Sequence, residues 1–278
     1  LYPSIKGVNS MSSSSGNKSG SLTTHVDGVV GESKINLSHE FFIKLMHKFC
    51  PDTVEDGKCL RMNTEHGEYI LNSDTGDIAL LMRWKFNWVN QNSVGDNWTY
   101  LDEVSFIYES FSAICYGWND KIFLSVSGDS DFAEKFKSKR LPFSINMIPV
   151  HQKEHWNVDV LRTVPGNDDG RPYVNWKNRF AHFYFKDTSL SEKCAPENQS
   201  ICGFYQVNIV HEIGYMIRYL EDEYELDKFG KPVSKYKIDT AALMNVGMEL
   251  RERYLEGVCI DLNLVYPLTT FSVASVIK

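Results

Sequence analysis

His211, Glu212 and Tyr215 are the residues of this chain whose types and spacing best suit chemistry. Side chains four positions apart lie on the same face of an α-helix, so His211 and Tyr215 would point the same way on a helix. Imidazole is a common ligand of Zn²⁺, and a carboxylate beside a bound metal can accept a proton from water. The stretch therefore predicts a hydrolytic metal site.

Tyr215 is the unusual member of this set. In the motif His-Glu-x-x-His, two histidines bind zinc and the glutamate activates a water molecule, and Tyr215 stands where the second histidine would be. A phenol has an ordinary pKa of about 10 and must lose its proton to bind zinc well. We expect zinc affinity to be weakened but not abolished. Natural loss of function and an inactivating change both remain open explanations.

The elements around the motif are predicted from apolar spacing. From Phe204 to Glu225 apolar residues recur at three- and four-residue intervals, which indicates an amphipathic helix. A polar excursion over 226–237 follows, and a second helix is predicted over 249–264, before Pro267. His211 and Glu212 should therefore sit on a helix with a second helix downstream.

The rest of the chain predicts an α+β fold with a sheet-rich N-terminal portion. We expect residues 1–35 to be a Ser/Gly-rich flexible linker and residues 36–278 to be one domain, with a possible subdomain over 36–128. Helices are predicted over 38–49 and, with a charged surface, over 129–140. Aromatic and β-branched runs predict strands over 78–89, 104–116, 121–126, 158–164 and 179–185.

Composition limits the partners. A net charge of -7 and a pI near 5.6 argue against nucleic-acid binding, which needs a concentrated basic surface. Apolar runs such as 78–82 are too short to cross a bilayer. The six cysteines allow two short disulfides, Cys50 with Cys59 and Cys194 with Cys202, leaving Cys115 and Cys259. Six unrelated thiols are the alternative.

Three blocks in a fixed order resemble the zinc metallopeptidases of the zincin type found as bacterial toxin domains. They are the motif at 211–217, the acidic stretch Glu-Asp-Glu-Tyr at 221–224, and the methionine-centred turn at 239–247. Similar domains extend the spike proteins of type VI secretion systems or are cargo of contractile injection systems. The resemblance covers about 208–254 and implies a zincin-like fold, a mixed twisted sheet with an active-site helix and a C-terminal helix.

The resemblance also implies roles for individual residues. His211 would be a zinc ligand and Glu212 the general base that takes a proton from zinc-bound water and returns it to the leaving amine. Tyr215 would be a weak ligand. The next ligand is open among three acidic residues, with Glu249 slightly preferred over Glu221 and Asp222. Met244 would form the apolar floor beneath the metal.

Three functions remain open from the sequence. The first is a secreted effector that hydrolyses peptide bonds in the periplasm or the extracellular space, with a peptide or protein substrate, a secretion spike upstream and an immunity protein as partners. The second is an inactive pseudopeptidase that binds a protein, which Tyr215 favours. The third is an adhesin-like domain, suggested by the aromatic sheet-rich portion.

Overall fold

A computed structural model describes residues 58–90, 97–162, 170–195, 198–227 and 231–278. The fold is α+β, as predicted, with a large mixed sheet and few helices. The predicted linker, the predicted helix over 38–49 and Cys50 lie outside these residues. The strands are β1 Cys59–Asn63, β2 Glu68–Asn72, β3 Ile78–Asn90, β4 Ile122–Gly128, β5 Leu141–Pro149, β6 Trp156–Arg162, β7 Tyr173–Asn175, β8 Phe180–Tyr184, β9 Leu190–Ala195, β10 Asn198–Val207 and β11 Thr269–Val276. The helices are α1 Tyr100–Trp118, α2 Asp131–Phe136, α3 Asn208–Arg218 and α4 Glu256–Val265.

The main sheet has nine strands, with the path β11-β4-β5-β3-β6-β8-β7 and the hairpin β1-β2 added beside β3. Its inner pairs β5-β3, β3-β6 and β6-β8 are parallel, while the outer pairs are antiparallel. Strand β3 is long enough to pair with β2 along its first part and with β6 along its second. The last strand, β11, pairs with β4 at one edge of the sheet. This edge therefore joins segments that are far apart in the sequence.

The core between the sheet and the helices is strongly aromatic. Trp84, Trp118 and Trp156 are fully buried. The indole nitrogen of Trp118, at the end of α1, donates to the backbone oxygen of Val210 in α3 at 3.0 Å. Helix α1 therefore fixes the position of the helix that carries the predicted motif.

The strand predicted over 104–116 is wrong, because this stretch forms helix α1. Thr99 and Asp102 build a reciprocal capping box at its start, which the aromatic composition of the stretch concealed. The buried residues Phe106, Ser110 and Ile114 recur every four positions, the spacing of a helix face. Local β propensity was overridden by packing of that face against the sheet and α3.

The other predicted elements are mostly confirmed, with different bounds. The stretch 204–225 begins as the end of β10, and its helix α3 covers only Asn208–Arg218 because Tyr219 adopts a left-handed conformation with φ 52°. The second helix begins later than predicted, since Glu252–Leu255 is a 3₁₀ turn before α4. Helix α2 has six residues and buries Phe136, so it is anchored to the core.

The disulfide predicted between Cys194 and Cys202 is confirmed and joins β9 to β10, which form a separate two-stranded sheet. Cys59 is also disulfide-bonded, and its predicted partner Cys50 lies outside the described residues. Cys115 and Cys259 are thiols. Among the described helices, none combines the length and apolar character needed to cross a membrane.

Candidate functional site

Helix α3 holds His211 and Glu212 against the core. Their exposed fractions are 4% and 6%, which is low for ionisable side chains. Strand β10 leads directly into this helix, and Ile209, Val210 and Ile213 are buried completely. The apolar face predicted from spacing thus places two polar side chains in a water-poor environment.

The turn at 242–247 packs against the end of β10 and against helix α3. The side-chain amide of Gln206 donates to the backbone oxygens of Leu243, Asn245 and Gly247, at 2.9, 3.1 and 2.9 Å. Gly214 packs so tightly on Met244 that a Cβ added there would lie 2.2 Å from the methionine sulfur. The absence of a side chain at Gly214 therefore allows the turn and the helix to meet beneath His211.

His211 lies between two hydrogen-bond acceptors. Its Nδ1 is 2.7 Å from the backbone oxygen of Leu243, and its Nε2 is 3.0 Å from a carboxylate oxygen of Asp222. Burial alone would lower the pKa of His211, but the hydrogen bonds and the charges of Asp222 and Glu212 raise it overall. The Leu243 and Asp222 oxygens are both hydrogen-bond acceptors. Since the Nδ1 hydrogen is used by Leu243, a second proton or a metal ion is needed between Nε2 and Asp222.

The carboxylate of Asp222 contacts three side chains. Besides His211, it accepts hydrogen bonds from the hydroxyl groups of Tyr215 and Tyr224. Burial would raise the pKa of Asp222, but these hydrogen bonds and the charge of His211 bring it below its ordinary value. The pKa values of both tyrosines are raised well above the ordinary value, first by burial and then by the charge of Asp222. Asp222 is thus an anion and the two phenols remain protonated.

Glu212 is the unsatisfied member of the site. Its Oε2 is buried and has no hydrogen-bond partner among the described residues. Burial raises its pKa to about 7, with further contributions from Asp222 and Asp187, while His211 and Lys193 oppose the shift. A carboxyl group with this pKa can both accept and release a proton near neutral pH.

The other two predicted ligands, Glu249 and Glu221, form no hydrogen bond or ion pair with His211. Glu249 lies 2.9 Å from the guanidinium of Arg251, and its side chain is partly exposed. Glu221 is exposed to solvent. Within the described ranges no three His, Cys, Asp or Glu side chains are grouped closely enough to hold a metal ion. Of the five predicted ligands, His211, Tyr215 and Asp222 converge, so a metal here would need a tyrosine oxygen.

A salt-bridge network supports the chain beside Asp222. The carboxylate of Glu223 receives two hydrogen bonds from Arg253, at 2.6 and 2.7 Å, and its backbone nitrogen donates to the Met244 oxygen at 2.8 Å. Arg253 also bonds to Asp239, which Arg251 holds through two further contacts. Asp222 is therefore held in position through its neighbour.

A chain of polar side chains at the start of α3 has no signal in the sequence. The amide of Asn208 donates to buried Asp187 at 2.7 Å, and the Lys193 ammonium donates to the Asn208 oxygen at 2.6 Å. Burial raises the pKa of Asp187 and lowers the pKa of Lys193. These residues belong to three different elements, so no sequence spacing linked them. Tyr224 was visible only as part of the acidic block at 221–224.

Comparison with known proteins gave no match for this chain among protein-family models, curated proteins or solved structures.

Proposed function

We propose that this protein is a zinc-dependent peptidase of the zincin type, with His211 and Asp222 as its main metal ligands and Glu212 as its general base. The observation that carries the proposal is the arrangement of these three residues. Glu212 has a buried oxygen with no partner among the residues that the structure describes, and the next residue toward the N-terminus, His211, has its Nε2 3.0 Å from Asp222. The resemblance of the blocks at 211–217, 221–224 and 239–247 to bacterial zincin toxin domains supports the same assignment.

The donor set fits zinc in type. Zinc accepts imidazole nitrogen and carboxylate oxygen, and a metal-binding histidine usually donates its other ring nitrogen to a carbonyl or carboxylate. His211 has such a partner in the Leu243 oxygen, 2.7 Å from Nδ1. The other side-chain oxygens at Asp222 belong to Tyr215 and Tyr224, whose hydroxyl groups donate to its carboxylate and whose raised pKa values oppose the loss of the phenolic proton. The site should therefore bind zinc more weakly than one with two histidines.

Zinc would supply Lewis-acid activation for the hydrolysis of a peptide bond. The residues of this chain do the rest. Glu212 would accept a proton from the attacking water at its free Oε2 and return it to the leaving amine nitrogen. Its pKa of about 7 suits both steps near neutral pH. The Tyr215 and Tyr224 hydroxyls hold Asp222 in place.

A second candidate is an inactive pseudopeptidase that binds a protein partner. Hydrogen bonding between Tyr215 and Asp222 favours this candidate, because it satisfies the carboxylate with a phenolic proton in place of a metal ion. Both candidates are compatible with the secreted effector expected from the resemblance, and the Cys194–Cys202 disulfide is compatible with an oxidising compartment.

Zinc content after loading tests the metal site. We expect sub-stoichiometric zinc in the wild-type protein and a rise toward one per chain in Tyr215→His, measured by elemental analysis after gel filtration. Tyr205→His is the matched control, because Tyr205 is an exposed tyrosine of β10 and should leave zinc unchanged. Asp222→Asn should remove zinc from Tyr215→His, whereas Glu249→Gln and Glu221→Gln should not. An unchanged zinc content in Tyr215→His would contradict the zinc site.

Peptide cleavage tests the activity. Tyr215→His protein loaded with zinc should cleave a mixture of peptides, as read by mass spectrometry, and Glu212→Gln in that background should abolish the cleavage. Glu221→Gln is the control, since this exposed carboxylate lies nine positions further along the chain. Stoichiometric zinc without any cleavage that depends on Glu212 would favour the pseudopeptidase.

A further inference from the structure

Strands β9 and β10 form a hairpin that is separate from the main sheet and leads directly into the helix of the candidate site. Among the described residues, these two strands pair only with each other. Strand β10 ends at Val207 and helix α3 begins at Asn208, three positions before His211. A two-stranded hairpin is at best marginally stable in water without further support. Whatever holds the two strands together therefore also affects the start of α3.

Each strand of the hairpin makes contacts that position helix α3. From β9, the Lys193 ammonium donates to the side-chain oxygen of Asn208 at 2.6 Å, and the Asn208 amide donates to buried Asp187 at 2.7 Å. From β10, the Gln206 amide holds the turn at 242–247 through three hydrogen bonds of 2.9 to 3.1 Å. One strand thus fixes the first residue of the helix, and the other fixes the turn that packs against it.

The Cys194–Cys202 disulfide joins the two strands where their backbone pairing is interrupted. The two cysteines lie opposite each other in the ladder, and the register shifts on both sides of Cys202. Gly203, the residue skipped by the second shift, has a left-handed φ of 99°. Beyond the cysteines only one further pair of described residues is aligned. The cross-link therefore holds this end of the hairpin closed, and Lys193 is the residue next to it.

Reductants can reach this disulfide, because Cys202 is exposed and Cys194 is only half-buried. A dithiol attacks one of the two sulfurs as its thiolate and forms a mixed disulfide, and its second thiol then releases the protein. The protein gains two thiols, with two electrons and two protons, and the reductant leaves as a disulfide. Cytoplasmic dithiols keep such bonds reduced, whereas oxidising compartments preserve them.

We infer that the Cys194–Cys202 disulfide is a redox switch of the candidate site. Reduction by a dithiol opens the hairpin beside Lys193 and loosens the start of α3, and oxidation restores both. This inference goes beyond the proposed function, because it concerns the order of the helix that carries His211 and Glu212 and holds for peptide hydrolysis and for protein binding alike. The site would be loosely held in a reducing cytoplasm and fixed in an oxidising compartment.

Hydrogen exchange measures the switch without relying on catalysis or on a metal ion. The full chain in EDTA is compared in its oxidised form, after reduction with dithiothreitol, and as the double variant Cys194→Ser with Cys202→Ser. The backbone amides of 211–214 donate the first helical hydrogen bonds of α3. We expect these amides to exchange at least about tenfold faster in the reduced protein and in the variant, as the loss of a short cross-link allows. Reoxidation with a small-molecule disulfide should restore slow exchange in the reduced wild-type protein.

A second cysteine pair supplies the matched control. Cys59→Ser combined with Cys50→Ser removes the disulfide-bonded Cys59 and its predicted partner, and should leave exchange at 211–214 as slow as in the oxidised protein. The amides of β5, where Phe143 and Ile145 are buried, report on the whole fold and should exchange equally slowly in every form.

Three results would overturn the switch. The first is equal exchange at 211–214 in the oxidised protein and in the double variant of Cys194 and Cys202. The second is faster exchange in the dithiothreitol-treated protein alone, and the third is an equal acceleration of β5, which would make the disulfide a support of the whole fold. The proposed hydrolysis is tested separately, by zinc content and peptide cleavage.

Discussion

Two groups of carboxylates lie side by side in this protein, each with one buried glutamate, and their surroundings differ. Glu223 and Asp239 are matched by Arg253 and Arg251, and these contacts lower the pKa of Asp239 to about 2. One position before Glu223, the Asp222 carboxylate lies 3.0 Å from His211 Nε2. The adjacent Glu212 has a pKa of about 7 and a buried oxygen with no hydrogen-bond partner in the described part of the chain.

The difference indicates which group supports the fold and which could react. A carboxylate with an arginine partner is ionised throughout the physiological range and holds its neighbours in place. A buried carboxylate without a partner is costly to ionise, and its retention is commonly a mark of a functional site. The turn at 242–247 touches both groups, through the Met244 and Leu243 oxygens, so the ion-pair network supports the site directly.

Removing an arginine from the network should have the largest effect. Arg253→Ala leaves the Glu223 carboxylate buried without its main partner, which should reduce the free energy of unfolding by about 3 to 5 kcal/mol. Urea denaturation measures the change. Arg140→Ala, an exposed arginine, should stay within about 0.5 kcal/mol of wild type. Equal losses in the two variants would remove the distinction between supporting and reactive carboxylates.

Glu212→Gln should have the opposite effect, because the folded state raises the pKa of Glu212 from 4.5 to about 7. Below pH 4.5 the carboxyl group is protonated in both the folded and unfolded states, so it contributes nothing. Between pH 4.5 and 7 the unfolded state ionises first, and the wild-type protein loses stability, reaching about 3 kcal/mol above pH 7.

In EDTA, Glu212→Gln should therefore be more stable than the wild-type protein at pH 8 and similar to it near pH 4. Glu221→Gln, at an exposed carboxylate, should follow the wild-type pH profile. Urea midpoints across this pH range give the comparison. A wild-type profile that is parallel to that of Glu212→Gln would show that Glu212 is solvated or paired.

Gly214→Ala should have the smallest of the three effects. The added Cβ would lie 2.2 Å from the Met244 sulfur, and this overpacking should cost about 1 to 3 kcal/mol, less if the flexible methionine moves. Combining it with Met244→Ala should recover part of the loss. If the double variant is simply the sum of the two single variants, the turn does not brace the helix at this point.

Local signals predicted part of the fold and of the site. The strand over 78–89 follows from its aromatic and β-branched composition, and the helix carrying His211 follows from apolar spacing. The disulfide between Cys194 and Cys202 follows from their short separation in sequence. The strand predicted over 104–116 is a helix, because its many β-branched and aromatic residues favour a strand locally while its buried residues have helical spacing. The sequence does not indicate that Lys193 and Asp187 belong near the site, because their contacts with Asn208 form only when the chain folds.

By itself the sequence determined the amphipathic helix that carries an imidazole and a carboxylate in adjacent positions, because helix periodicity is a property of consecutive residues. Only the tertiary structure decided which acidic residue approaches His211. Tyr219 turns the chain after α3, which brings Asp222 back to the imidazole, while Arg251 holds Glu249. Sequence separation does not distinguish these two carboxylates, whereas their contacts do.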